Sequence, residues 1–82
     1  MICRYLLTIH CACPVDDRRD IYAAEFESAS MIPVERILEA VREFNGVKAY
    51  QEDLTLSLAR KLNCRVTTIG DHSGVLTEVT AP

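Results

Sequence analysis

The residues best suited to covalent chemistry lie in the stretch HCACPVDDRRD, which runs from His10 to Asp20. Cys11 and Cys13 are separated by one residue, and Pro14 directly follows the second cysteine. These residue types at this spacing are compatible with a metal site, a disulfide, a buried cysteine pair or a catalytic thiol. The strands and loops around the stretch decide which of these alternatives the chain can build.

Cys13 is the candidate nucleophile, and Asp20 is its candidate acid–base partner. An attacking thiol must be accessible and partly ionised, and a strand end beside a polar loop permits both. A carboxyl group that opens the next strand, across the hairpin from Cys13, can donate a proton if burial keeps it protonated. The alternative for Cys13 is a small apolar residue that closes a strand. The alternative for Asp20 is a solvated turn aspartate, which is the expectation for Asp16 and Asp17.

The composition predicts one ordinary globular domain spanning residues 1–82. The chain is 49% hydrophobic and 26% charged, with a formal net charge of −3. That charge argues against a nucleic-acid backbone or an anionic membrane as the main partner. No apolar run is long enough to span a bilayer, and the N-terminus does not read as a signal peptide. Four cysteines without an export signal predict a cytoplasmic protein with free thiols.

The first half of the chain predicts a β-hairpin, with strands at 3–13 and 20–29 and a polar connection at 14–19. Apolar residues alternate along the first strand, so one face carries Cys3, Tyr5, Leu7, Ile9, Cys11 and Cys13. The opposite face carries Arg4, Thr8 and His10. In the second strand the apolar residues Tyr22, Ala24 and Phe26 alternate with Ala23, Glu25 and Glu27.

The second half predicts two helices and then two strands. The helices are expected from Pro33 to Phe44 and at 51–62, and the strands at 64–69 and 75–80, with a turn at 70–74. The resulting fold class is α+β with the order ββααββ, a four-stranded antiparallel sheet with both helices on one face. The other face and the sheet edges are uncovered, which predicts a homo-oligomer.

This order of elements, with its motifs, resembles the tunnelling fold, and within it most closely the 7-cyano-7-deazaguanine nitrile reductase (QueF) family. GTP cyclohydrolase I and the dihydroneopterin enzymes share that fold. The resemblance covers nearly the whole chain. It implies that subunits join their sheets into a β-barrel and bind purine- or pterin-like rings at subunit interfaces.

The sharpest local match to the nitrile reductases is Cys-Pro followed by an aspartate seven positions after the cysteine. Cys13, Pro14 and Asp20 keep that spacing. The resemblance implies that Cys13 adds to a nitrile carbon to form a thioimide. It also implies that Asp20 supplies the proton that the nitrile nitrogen needs.

A second match is YQEDLT, Tyr50 to Thr55, where the family uses a glutamate to anchor the ring. The resemblance implies that Glu52 accepts the paired N–H groups of a guanine-like ring and that Gln51 adds an amide hydrogen bond. The alternative is that Glu52, like Asp53, is a first-turn acid favoured by the helix dipole. His72, in the predicted turn 70–74, is a candidate contact to a ligand held by a neighbouring subunit, or an exposed histidine.

The first helix departs from the reductase pattern. It reads VERILEAVREF, in which Glu35 matches but the lysine-containing segment that contacts NADPH is missing. Gln51 also replaces the reductase histidine. A related branch without the NADPH segment adds ammonia to a nitrile carried on tRNA. The resemblance therefore leaves open NADPH-dependent reduction and amidine formation, on a free base or on one carried by tRNA or DNA.

Metal chemistry is the remaining question, and no metal is expected. The Cys-x-x-His motif of GTP cyclohydrolase I is absent, and Gly74 stands where a third zinc ligand would be expected. Cysteine and histidine are the residue types that bind zinc, so Cys11, Cys13, Cys64 and a histidine are conceivable ligands. No pair among them has the spacing common in structural zinc sites. A disulfide between Cys11 and Cys13 would be strained, and Cys3 and Cys64 are expected in the core. A cyclohydrolase-like enzyme and a non-catalytic ring-binding subunit stay as alternative functions.

Overall fold

The computed structural model describes residues 1–16 and 18–82 and contains four strands and two helices in these residues. The elements are β1 (Cys3–Ala12), β2 (Arg19–Ser28), α1 (Val34–Arg42), α2 (Gln51–Leu62), β3 (Arg65–His72) and β4 (Val75–Ala81). The predicted order ββααββ and the α+β class are therefore confirmed.

The sheet is antiparallel throughout, and its strand order is β1-β2-β3-β4. β1 and β2 pair from Cys3 opposite Ser28 to Ala12 opposite Arg19, which confirms the first hairpin. Both helices lie in the connection between β2 and β3. α2 packs against β3 and β4, and α1 packs against α2. The helices therefore cover one face of the sheet, because their apolar sides need a surface on which to be buried.

The core lies between that sheet face and the helices, and it follows from the alternation in the strands. The strands contribute Ile9, Cys11, Tyr22, Ala24, Phe26, Val66 and Ala81, and the helices contribute Ile37, Ala40, Leu54, Leu58, Ala59 and Leu62. All four cysteines are free. Cys64 is buried as expected, whereas Cys3, the first residue of the edge strand β1, is only partly buried.

The opposite face of the sheet is bare in the single chain. Leu6 is 75% exposed, Ile21 53% and Leu76 74%. A groove of about 500 Å³ crosses this face and is bordered by Leu6, Thr8, Ala23, Glu25, Thr67, Ile69 and Glu78. In the described part of the chain, neither helix has the length and the apolar sequence that crossing a membrane requires.

The predicted turn at 70–74 is wrong, because β3 continues through His72 and only Ser73 and Gly74 form the loop. Both loop residues have positive φ, 54° and 90°, the combination that a two-residue hairpin turn matching the strand twist requires. The Asp71 carboxylate accepts a hydrogen bond from the Gly74 N–H at 2.7 Å. The run of polar residues and glycines at 70–74 predicts a loop of five residues, but this type of turn needs only two.

Gly70 lies inside β3 because its neighbour in β2 needs the space. Tyr22 pairs with Gly70 in the sheet register, and a Cβ at Gly70 would collide with the Tyr22 ring. The absent side chain lets the aromatic ring lie flat over the strand backbone. This contact fixes the Tyr22 ring at the end of the sheet that carries the cleft described below.

We predict that Gly70→Ala lowers the free energy of unfolding by about 1–3 kcal/mol, because the added methyl group overpacks the Tyr22 ring. Urea denaturation followed by circular dichroism measures the loss. The matched background is Tyr22→Val, which lacks the ring atoms that the methyl group meets, so Gly70→Ala should cost less there. An equal cost in both backgrounds would contradict the collision.

Candidate active site

The five residues singled out in the sequence line a single cleft at one end of the sheet. The cleft has a volume of about 260 Å³ and lies between the loop after β1, the start of β2, the first turn of α2 and the end of β3. Its lining includes Cys13, Asp20, Gln51, Glu52 and His72. Segments that are far apart in the sequence therefore meet here.

The first hairpin brings Cys13 and Asp20 to the cleft, although their register differs from the expectation. Asp20 lies opposite Cys11, not opposite Cys13. The Cys13 N–H instead donates to the Arg18 carbonyl at 2.7 Å, which continues the ladder one pair beyond Ala12 and Arg19. Because side chains two residues apart in a strand share a face, Cys13 and Asp20 are diagonal neighbours on the helix side of the sheet.

A backbone tie holds the end of β1 against the segment that leads into α2. The Ala12 N–H donates to the Val47 carbonyl at 2.9 Å, and the Ala49 N–H donates to the Ala12 carbonyl at 3.2 Å. The Gly46 N–H donates to the His10 carbonyl at 3.2 Å. This short parallel pairing fixes the distance between the nucleophile candidate, which follows β1, and the first turn of α2.

Two groups beside Asp20 are held in their neutral forms. The Tyr22 hydroxyl donates to Asp20 Oδ2 at 3.2 Å, and burial, together with the Asp20 charge, raises the Tyr22 pKa far above its ordinary value. Burial is also the main cause that raises the pKa of the Cys11 thiol, and Asp20 adds to it. Tyr22 is therefore a hydrogen-bond donor at neutral pH, and Cys11 is an inert thiol in the core.

Asp16 lies next to the cleft and is a paired surface residue. Its carboxylate accepts a hydrogen bond from the Arg18 N–H and forms an ion pair with Arg18 Nε, each at 3.1 Å. The Arg18 N–H, followed by the Cys13 thiol, lowers the Asp16 pKa. Asp17, the other expected turn aspartate, lies outside the described residues.

Gln51 is almost completely buried, with 2% of its surface exposed, and its side-chain amide is shared among protein groups. Gln51 Nε2 donates to the Thr68 carbonyl and to Thr68 Oγ1, both at 3.1 Å, and to the Thr77 carbonyl at 3.0 Å. Its Oε1 lies 2.8 Å from His72 Nε2. A direct bond from Gln51 to a ligand ring stays a prediction, and in the free chain these protein groups already occupy the amide.

Thr55 completes a buried ring of hydrogen bonds with Gln51. The Thr55 hydroxyl donates to the Gln51 carbonyl at 2.7 Å, so its oxygen can only accept from Thr68 Oγ1, 2.6 Å away. Within the described chain, no buried side-chain nitrogen or oxygen lacks a partner. Gln51 and Thr55 of the YQEDLT match thus have a structural explanation that the sequence did not reveal.

Glu52 and His72 are the groups at the mouth of the cleft. Glu52 is exposed, and among residues 1–16 and 18–82 it has no hydrogen-bond or ion-pair partner, so its carboxylate is free to accept from a ligand. His72 is half-buried, with its ring centroid 5.9 Å from that of Tyr22. His72 already belongs to the cleft of its own chain, whereas the sequence suggested an approach from a neighbouring subunit.

Two aromatic residues of the cleft were not named as site residues in the sequence. Tyr22 and Tyr50 both line it. Tyr22 was expected only as a core residue, although its position two residues after Asp20 places it on the same strand face. Tyr50 directly precedes the first turn of α2 and is 56% exposed, so its ring is available to a planar ligand.

Residues that could hold a metal ion are dispersed in the fold. Within the described residues, no three His, Cys, Asp or Glu side chains are grouped as a ligand set. Cys64 directly precedes Arg65, which pairs with Glu27 at the end of the sheet opposite Cys13. The cysteine combination considered for zinc is therefore not brought together.

A search of solved structures finds the same architecture in the archaeosine synthase QueF-Like, determined in the apo form. The TM-score is 0.87, the sequence identity is 22%, and the match covers 98% of this chain and 90% of that one. No protein-family model matches the chain, and no curated protein does. At this level of identity the likeness shows the fold. The predicted tunnelling fold is therefore confirmed as the architecture on which the cleft is built.

We predict that iodoacetamide modifies Cys13 well before Cys11 and Cys64 in the native protein near neutral pH. Burial shields the latter two, and their raised pKa values leave them as thiols, so their reaction should begin only at higher pH or on unfolding. Peptide mapping by mass spectrometry at timed intervals distinguishes the four cysteines. Cys13→Ser should remove the early product, and modification of Cys11 at the rate of Cys13 would contradict the assignment.

Proposed function

We propose that this chain is an enzyme of the QueF type that acts on the nitrile of 7-cyano-7-deazaguanine, free or linked to nucleic acid. In this proposal Cys13 forms a covalent thioimide, and ammonia then converts it to an amidine. The observation that carries the proposal is that Cys13, Asp20 and Glu52 line one cleft. The fold shared with an archaeosine synthase supports this reading.

Recognition of the ring falls to Glu52 and its surroundings. A guanine-like edge presents a ring N–H beside an exocyclic amine, and one carboxylate can accept both hydrogen bonds with specific geometry. Glu52 is free and exposed at the mouth of the cleft. Tyr50, the residue before α2, offers an aromatic surface on which the flat ring can stack.

The proposed first step joins Cys13 to the nitrile. The Cys13 sulfur forms a bond to the nitrile carbon, one carbon–nitrogen π bond breaks, and its electron pair moves to the nitrogen. The Asp20 carboxylate takes the proton of the Cys13 thiol and gives it to that nitrogen, which yields the thioimide. Tyr22 donates to the Asp20 carboxylate and holds it at the start of β2, so the group that delivers the proton has a fixed position.

The proposed second step consumes ammonia. Its lone pair forms a bond to the thioimide carbon, the carbon–sulfur bond breaks, and Cys13 leaves as a thiolate. The nitrogen that was ammonia loses one proton to the Asp20 carboxylate, and Asp20 passes that proton to the departing thiolate, so the enzyme returns to its starting state. The net reaction adds ammonia across the nitrile without an oxidant or a reductant.

NADPH, which reduction of the nitrile would require, does not fit the residues that line this cleft. No residue of α1, within the described chain, borders the cleft, and its first turn is acidic at Glu35. The carboxylates of Asp20 and Glu52 also oppose a phosphate-bearing cofactor. We therefore derive no hydride step for this chain.

The proposal includes a homo-oligomer in which the bare sheet face is covered. We predict that the protein sediments as an oligomer and that Leu6→Lys shifts it toward single subunits, because the substitution places a charge in the exposed apolar face. Analytical ultracentrifugation measures the mass. Val34→Lys changes an apolar residue of α1 that is 53% exposed, against 75% for Leu6, and is the control that should stay assembled. A wild-type mass of one subunit would exclude the assembly.

We predict that 7-cyano-7-deazaguanine adds its mass to the parent protein in an intact-mass experiment, and that Cys13→Ala abolishes the adduct. Cys11→Ala is the matched control, because it removes a neighbouring thiol that is buried and un-ionised, and it should keep the adduct. Asp20→Asn should slow adduct formation by a factor of about 10² to 10⁴, the range for a lost general acid. Ammonia added to the adduct should release the amidine.

A ligand that binds without forming an adduct on either protein would remove Cys13 from catalysis. Equal affinity in the parent protein and in Cys13→Ala would then favour the non-catalytic ring-binding subunit. Activity on GTP that depends on stoichiometric zinc would favour the cyclohydrolase-like alternative. Release of the aminomethyl compound with NADPH, and no reaction with ammonia, would replace amidine formation by reduction.

A further inference from the structure

The Gln51 amide has only one orientation that its surroundings permit. Side-chain amide oxygen and nitrogen are assigned from hydrogen bonding, so the partners must decide between the two orientations. The carbonyls of Thr68 and Thr77 lie within 3.1 Å of the atom assigned as Nε2, and carbonyls can only accept. The NH₂ group therefore faces these carbonyls, and Oε1 faces His72.

This orientation determines which nitrogen of the His72 ring carries a proton. Gln51 Oε1 has no hydrogen to give, and it lies 2.8 Å from His72 Nε2. His72 Nε2 must therefore be the donor of that hydrogen bond. In a neutral imidazole only one nitrogen is protonated, so the other nitrogen, Nδ1, is left as an acceptor.

We infer that Gln51 is a positioning residue, which holds neutral His72 as the Nε2–H tautomer so that Nδ1 accepts a hydrogen bond from an N–H group of the ligand. His72 lines the cleft that holds Cys13 and Asp20, and it also lines an adjoining cleft of about 400 Å³. The tautomer follows from the free chain alone. The role of His72 toward a ligand rests on the proposed function. It requires a substrate, either the ring or the nucleophile, that presents N–H donors.

The buried network is what gives Gln51 this control. Rotating the amide would turn its oxygen toward two carbonyls and its NH₂ group toward His72, which would leave buried groups unpaired. Each unpaired buried group costs about 1–3 kcal/mol. Thr68 Oγ1 gives its own proton to Thr55, so it too can only accept from Gln51. The amide is therefore fixed from three sides.

The test is an NMR measurement on protein labelled with ¹⁵N in histidine. Long-range proton–nitrogen correlations at about pH 8.5, two units above the ordinary histidine pKa of ~6.5, report the tautomer of each neutral ring. His72 should show a protonated Nε2 and a bare Nδ1. His10 is exposed on the bare sheet face and is the internal control, which should show the tautomer mixture of a free ring. A protonated Nδ1 in His72, or a mixture like that of His10, would overturn the inference.

One variant separates positioning from mere stability. Gln51→Met removes the acceptor for His72 and should convert His72 to a mixture of tautomers. If Gln51→Met does not fold, the wild-type spectrum still decides. A His72 tautomer that is unchanged in a folded Gln51→Met protein would show that Gln51 does not set it.

The ligand role is tested with 7-cyano-7-deazaguanine on Cys13→Ala protein, in which binding proceeds without an adduct. Saturating ligand should move the His72 Nδ1 resonance toward the position of a hydrogen-bonded nitrogen and leave His10 unchanged. Bound ligand with no shift at Nδ1 would overturn the acceptor role and leave the proposed function standing. No binding by the Cys13→Ala protein, and no adduct on the parent protein, would overturn both the acceptor role and the proposed function.

Discussion

The buried amide of Gln51 joins three parts of the chain that are distant in sequence, namely the first turn of α2, the middle of β3 and the backbone of β4 at Thr77. α2 begins without a side-chain cap on its first N–H groups, since Tyr50 supplies none. Shifting the helix along the sheet would leave the buried Gln51 amide without hydrogen-bond partners, so the network fixes where α2 starts. Glu52, the next residue, is consequently placed at the mouth of the cleft by a neighbour that is itself buried.

The other half of the cleft depends on the register of the first hairpin. Pairing over the full length of β1 and β2 sets which residues share the helix face at its end, and the ladder continues to the backbone pair of Cys13 and Arg18. The two halves are joined by the hydrogen bonds of Ala12 to Val47 and Ala49. A thiol that follows a strand and a carboxylate that opens a helix therefore have a defined separation, although no side chain connects them directly.

The periodicity of apolar residues was enough to predict the six elements, the antiparallel hairpins and the face that packs on the helices. Cys13, Asp20 and Glu52 were singled out by motifs shared with the nitrile reductases, because motif spacing is a local property of the chain. Residue types do not show which polar group will be satisfied by which partner. The internal role of Gln51 depends on Thr68 and Thr77, which only the folded register brings to it.

The extent of β3 was missed for a related reason. Gly70 looks like a turn residue in isolation, and its place inside a strand is explained only by the Tyr22 ring that lies across it. The ring also links the fold to the site, because Tyr22 holds the Asp20 carboxylate through its hydroxyl and contacts the His72 ring. Tyr22, which the periodicity assigned to the core, therefore also contacts two residues of the candidate site. The distinction between core and site is made by its neighbours rather than by its own type.

The openness of the cleft gives the proposed assembly a chemical consequence. At about 260 Å³ the cleft is smaller than the ~300–1,000 Å³ of typical ligand pockets, and Glu52 faces water. A carboxylate in water gains little from two N–H donors, because water competes for the same hydrogen bonds. Covering the mouth with a second subunit would lower the local dielectric and strengthen that recognition. Ring binding and subunit association are therefore expected to be linked, with each favouring the other.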